Sequence, residues 1–155
     1  MFFEDARVPA ANIVGDENRG WYVGAALLDF ERSGIGSAAA ARRSLEDLAQ
    51  YCREAKSNGG VDLRARHLIA ELAIETELGR FLSYHVASLQ ARGEVPNMEA
   101  SAAKVYNSEL AQRIAGAVVK IMGLYGQVRP ESKKWSRLRG EFTMSYMVSH
   151  GITIA

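Results

Sequence analysis

The sequence predicts an all-α fold, an antiparallel four-helix bundle, from three observations. Long proline-free stretches are rich in Ala, Leu, Arg and Glu, the residues with the highest helix propensity. Apolar residues recur at steps of three, four and seven, and no segment sustains the two-residue alternation of a half-buried strand. The breaks between these stretches are short and hold Gly, Asn or Pro, and short connections make consecutive helices antiparallel neighbours. The length of 155 residues suits one domain spanning residues 1–155, and no repeat of solenoid length is present.

Residues 1–20, with Pro9, Gly15 and Gly20 among short apolar groups, read as an extended lead-in to a bundle over residues 21–155. The first helix is expected from Trp21 to about Lys56. Gly34 and Gly36 then fall inside it, where each costs about 1 kcal/mol relative to Ala, so something should approach that backbone closely. Asn58, Gly59 and Gly60 end the helix, and Asp62 is placed to cap a second one from about Leu63 to Arg92. There Leu68, Ile69, Leu72, Leu78, Phe81, Leu82, Val86 and Leu89 make one side apolar. Gly93 to Asn97, with Pro96, leads into a third helix over about Met98–Met122, with a small-residue face of Ala102, Val105, Ala111, Ala115, Val118 and Val119. After a turn at Gly123–Pro130, a fourth helix is expected over about Ser132–Ser149, with Trp135, Leu138, Phe142 and Tyr146 at helical spacing.

Composition excludes several classes of function. A hydrophobic share of 48% with 24% charged residues belongs to a globular chain. Nineteen Lys plus Arg against eighteen Asp plus Glu leave a formal charge of +1, so no strong net field draws nucleic acid or an acidic membrane surface. The one cysteine, Cys52, makes no internal disulfide, which points to a reducing, cytoplasmic setting. No apolar run reaches the length of a membrane span, and no basic region with an apolar core opens the chain.

Bundles often carry metals, but a di-iron site needs Glu-x-x-His on two helices, and no glutamate here has a histidine three residues on. His67 and Glu71 read as a surface helix pair, and His85 as a partly buried, satisfied histidine. No metal site is expected, and no local motif activates Cys52 or a serine as nucleophile.

Three stretches together resemble the acyl-CoA dehydrogenases, in their C-terminal helical domain. FFEDARVPAANIVGDENRGW is similar to the family's segment leaving its middle β-domain, and LLDFERSGIGSAAAARRSLEDLAQY to its L-x-x-x-R helix. VVKIMGLYGQ resembles its Q-I-x-G-G-x-G loop, with Lys120 at the glutamine, and SHGITIA resembles the approach to its G-G-T-S-E-I-Q-R segment. The resemblance covers nearly the whole chain. It implies one third of an enzyme, without the two preceding domains and the final segment, and inactive alone.

The implied reaction is flavin-dependent α,β-dehydrogenation of an acyl-CoA thioester, in which a carboxylate removes the α-proton and FAD takes the β-hydride. In one set of relatives the base follows the position of Ala155; in another it stands on the first long helix in an L-x-x-E-R context, which Leu28, Asp29, Phe30, Glu31 and Arg32 match. The resemblance thus implies Glu31 as base and Asp29 and Arg32 as substrate-binding. Glu31 as a solvated helix residue paired with a neighbouring arginine is the alternative. Lys120, Met122, Gly123 and Leu124 fall on the implied FAD loop. The family's R-x-x-F-G approach is replaced by Ala55, Lys56, Ser57, Asn58 and Gly59, so FAD belongs to the parent enzyme and is not retained by this chain. Implied partners are acyl-CoA, an electron-transfer flavoprotein or similar acceptor, and a homo- or hetero-oligomer. The competing class is a degenerate scaffold or oligomerisation subunit of a heteromeric enzyme.

Overall fold

The computed structural model describes the backbone of residues 2–31, 34–56 and 62–154, and their side chains except at 29–31, 56, 139 and 154. Among the described residues there is no strand. The helices are α1 (Gly20–Glu31), α2 (Ile35–Lys56), α3 (Leu63–Ala91), α4 (Asn97–Met122) and α5 (Glu141–Ile154). Short 3-10 turns occupy Ala10–Asn12, Gly123–Gln127 and Leu138–Gly140.

The expected first helix is therefore two. Gly34 adopts φ +71, in the left-handed region that an α-helix cannot contain, and separates α1 from α2. Gly34 is thus outside any helix, and among the described residues nothing lies within 4 Å of where a Cβ on Gly36 would stand, so none of them makes the close approach expected there. The lead-in folds back on α1 at Gly15, where a Cβ would meet Val23 Cγ2 at 2.7 Å. Most described α1 side chains remain exposed, Trp21, Tyr22, Leu27 and Leu28 among them.

The bundle is formed by α2 to α5, with α4 packed against α2, α3 and α5. Its main core joins Leu45, Leu48 and Cys52 of α2, Leu72 of α3, Leu110, Ile114, Val118 and Met122 of α4, and Phe142 of α5. Each fully buried Leu or Ile contributes about 1.5–3 kcal/mol. A smaller cluster of Val86, Ala100 and Ala103 closes the far end of the α3–α4 pair. Asp62 caps α3 as expected, its carboxylate accepting from the Arg64 N–H at 3.2 Å.

The buried faces differ from the expected ones. On α3, Leu72, Val86 and Leu89 are buried, but Leu78 and Phe81 are exposed, and the stripe is completed by Thr76, Gly79 and Ser83. At 100° per residue Phe81 lies opposite Leu72, and a list of apolar residues all round the helix did not show which arc α4 would cover. On α4 the buried stripe runs through Ala100, Ala103, Asn107, Leu110, Ile114 and Ala117, so Ala115 and Val118 are buried as expected while Ala102 and Val105 are exposed. His67, Glu71 and His85 are all exposed, which corrects the partly buried reading of His85.

The last helix begins nine residues later than expected, at Glu141, because residues 130–140 form turns. Gly140 has φ +67, and a Cβ there would meet Pro130 N at 2.6 Å, so this chain reversal requires glycine. Thr143 secures it by sharing its hydroxyl between the carbonyls of Gly126 (2.7 Å) and Val128 (3.1 Å). Trp135 and Tyr146 are accordingly exposed, whereas Phe142 is buried.

Candidate functional site

Asp29, Phe30 and Glu31 are the last three residues of α1. Their side chains and the whole of Arg32 lie outside the described residues, so the proposed base and substrate contacts have a position along the chain and no described geometry. Just after the break, Ile35, Ala38 and Arg42 of α2 and Arg80, Ser83 and Tyr84 of α3 line a cleft of about 150 Å³. Both arginines are paired: Arg42 Nε donates to Glu46 at 2.9 Å, and Arg80 bridges to Glu77 at 2.6 Å. These hydrogen bonds raise both guanidinium pKa values, and Arg80 also lies over the rings of Phe81 and Tyr84. The cleft thus offers a fixed cation edge and no base of its own.

The second candidate region lies at the other end of α2. Tyr51, Ala55, Asp62, Arg64, Ala65, Leu68, Lys120 and Ile121 line an open groove of about 460 Å³. Its two cations come from different helices, Arg64 from the first turn of α3 and Lys120 from the last turn of α4. Beyond Lys120, the Met122 side chain is buried in the main core, Gly123 takes φ +58 and ψ −129, and Leu124 is exposed. The backbone at Gly123 has open space around it, whereas Gly126 is pressed on Val119, whose Cα a Cβ would meet at 2.8 Å. Chemically, Lys120 and Arg64 can neutralise an anion such as a phosphate group, and the turn after Lys120 presents backbone at the rim.

The two regions do not meet within one chain. Ile35 and Ala55 are twenty residues apart on α2, which at 1.5 Å per residue is about 30 Å. Arg64 was missed by sequence reasoning because it lies 56 positions from Lys120 and belongs to no local motif; only the packing of α3 on α4 brings both to one groove. The cleft residues Arg42, Arg80 and Tyr84 were missed for the same reason. Among the described residues, no group of three or more His, Cys, Asp or Glu is close enough to hold a metal ion, and no helix is long and apolar enough to cross a membrane.

The sequence model described as acyl-CoA dehydrogenase, C-terminal domain, matches residues 18–145, from just before α1 into α5. The chain belongs to the acyl-CoA dehydrogenase family. It is 35% identical over 138 residues to an acyl-CoA dehydrogenase of Bacillus subtilis, covering 83% of this chain and 35% of that protein. It is 33% identical over 134 residues to the caffeyl-CoA reductase-Etf complex subunit CarC of Acetobacterium woodii, again covering 83% and 35%. The chain therefore spans about a third of the length of the acyl-CoA dehydrogenase family relatives it matches. In three dimensions it is similar to the Tcur3481-Tcur3483 steroid ACAD, with a TM-score of 0.85 and 25% identity over 99% of this chain and 40% of that one. The acyl-CoA dehydrogenase family assignment accounts for the all-helical bundle and agrees with the resemblance read from the sequence motifs.

Proposed function

We propose that this chain serves as the C-terminal helical domain of a flavin-dependent acyl-CoA dehydrogenase, with Glu31 as the base that removes the α-proton of the acyl thioester. The observation that carries the reading is the family match over residues 18–145, which includes both the helix ending at Glu31 and the turn after Lys120. Bound FAD would supply the acceptor for the β-hydride. The residues of the groove fit such a group: Lys120 and Arg64 line it with two cations against the one carboxylate of Asp62, a net positive charge for a diphosphate, and the open backbone at Gly123 admits a close approach. Met122, its side chain committed to the core, would take part through its backbone alone.

Each remaining role belongs to this chain's own residues. Glu31 must be ionised when substrate binds if it is to accept the α-proton. Asp29 and Arg32 orient the CoA thioester. The base and the cofactor loop lie at opposite ends of α2, so in this reading a complete site draws on a second subunit, and the working protein is an oligomer. An electron-transfer flavoprotein is the proposed acceptor, supported by a relative whose name places it in an Etf complex, and the proposed location is the cytoplasm. Acyl-CoA is the proposed substrate, and this chain alone is proposed not to retain FAD.

A second reading is a scaffold subunit without chemistry, favoured by Ala55, a methyl group at the groove where the family motif has a cation. Glu31→Gln in the flavin-loaded holoenzyme separates the two readings. Loss of a general base slows flavin bleaching by about 10²- to 10⁴-fold with acyl-CoA binding retained. Bleaching within about threefold of the parent, in a variant that keeps its flavin, refutes the assignment of Glu31.

A further inference from the structure

We propose that the exposed basic loop 129–139, together with Tyr125, docks a short acidic segment of a partner protein. The loop carries Arg129, Lys133, Lys134, Arg137 and Arg139 against Glu131, a local charge of +4. The other residues hold fourteen cations against seventeen acids, a net −3, so the positive excess of the chain is concentrated in this loop. Arg129, Lys133, Lys134 and Arg137 are exposed, and among the described residues no carboxylate lies within ion-pair distance of them. Cations left without partners on one surface form a field that steers an acidic surface toward it.

Two further features make the loop a docking surface. Aromatic rings are interleaved with the charges: Lys134 Nζ stands 4.8 Å from the Trp135 ring centroid and the Arg137 guanidinium 5.2 Å from that of Tyr125. Trp135 is 51% exposed, and exposed Trp, Tyr and Arg together are the residues that dominate protein interfaces. The loop is also held in shape. Gly140 is seated on Pro130, Thr143 binds the carbonyls of Gly126 and Val128, and the Ser132 carbonyl accepts from the N–H groups of Trp135 and Ser136 at 3.0 and 2.9 Å. A surface ordered before binding loses little conformational freedom when it binds.

A protein segment is favoured over nucleic acid because the basic surface is one loop on an otherwise negative chain. A phosphate backbone extending past it would meet net repulsion, whereas a few carboxylates beside an apolar or aromatic residue match it. The proposal concerns residues outside both candidate site regions and does not depend on the acyl-CoA reading.

The test uses the whole chain with Trp21→Phe, which leaves Trp135 as the single tryptophan reporter. A polyglutamate peptide of about ten residues is titrated while Trp135 emission is followed, at low salt and again near physiological salt. Saturable change is expected, weakened at least about tenfold by Lys133→Glu with Lys134→Glu, and much less by Arg43→Glu with Arg66→Glu, which changes net charge equally elsewhere. Circular dichroism of both double variants checks that they remain folded. Three results overturn the proposal: no saturation at millimolar peptide, equal loss in both double variants, or tighter binding of an oligothymidylate of similar charge than of the peptide.

Discussion

Gly79→Ala should destabilise the bundle, against the usual direction for a mid-helix glycine. Helix propensity alone favours Ala by about 1 kcal/mol. At Gly79, however, the new Cβ would clash with Asn107 Oδ1, and Asn107 is 4% exposed on the facing helix, so it can give way only within a packed interface. Asn107 Nδ2 donates to Ser83 Oγ at 3.2 Å, and Ser83 in turn donates to the Gly79 carbonyl at 3.0 Å. Displacing Asn107 adds overpacking of about 1–3 kcal/mol to the loss of a buried polar contact worth about 1–3 kcal/mol. The net loss is about 1–5 kcal/mol after the propensity gain, or a fall in Tm of roughly 2–20 °C for a chain of this size. Gly116→Ala is the control: its Cβ would meet Tyr146 Cε2 at an ordinary 3.8 Å, so it should be neutral or stabilising by up to about 1 kcal/mol. Urea and thermal denaturation of both variants, with Asn107→Ala alone and combined with Gly79→Ala, complete a double-mutant cycle. Relief of the clash should appear as a coupling of at least about 1 kcal/mol. A Gly79→Ala chain as stable as the parent, or more so, refutes the steric argument.

Gly140→Ala combines an unfavourable φ with a Cβ 2.6 Å from Pro130 N; it should destabilise by at least about 2 kcal/mol and raise amide exchange in residues 128–143 before the rest of the bundle. Burial raises the Cys52 thiol pKa above its ordinary 9.0, so above that pH the unfolded chain ionises first and binds fewer protons. Stability should therefore fall as pH rises past 9.0, and Cys52→Ala should flatten that part of a denaturation series measured against pH. Tyr106→Phe removes the hydroxyl that donates to the Glu75 carbonyl at 3.2 Å and should lower stability by about 1 kcal/mol in urea denaturation.

Local chemistry, which the sequence carries in full, decided the helical class, the Asp62 cap, the α3 and α4 spans within about one residue at each end, and the order of the family motifs. What only the tertiary structure decided depends on which surfaces meet. Gly34 is a break between two helices because its φ is positive, and the sequence alone does not distinguish that from a tolerated helical glycine. Trp135 and Leu138 have helical spacing, yet residues 130–140 turn instead, because Gly140 packs on Pro130 ten positions away. Leu78 and Phe81 are as apolar as Leu72, and only the placement of α4 determines that Leu72 is buried and they are not. The same packing seats Asn107 against Gly79 and brings Arg64 to Lys120, pairs separated by 28 and 56 positions. Periodicity along one helix records how its own side chains are distributed in angle, whereas the buried arc and the residues that share a groove are set by the neighbouring helices.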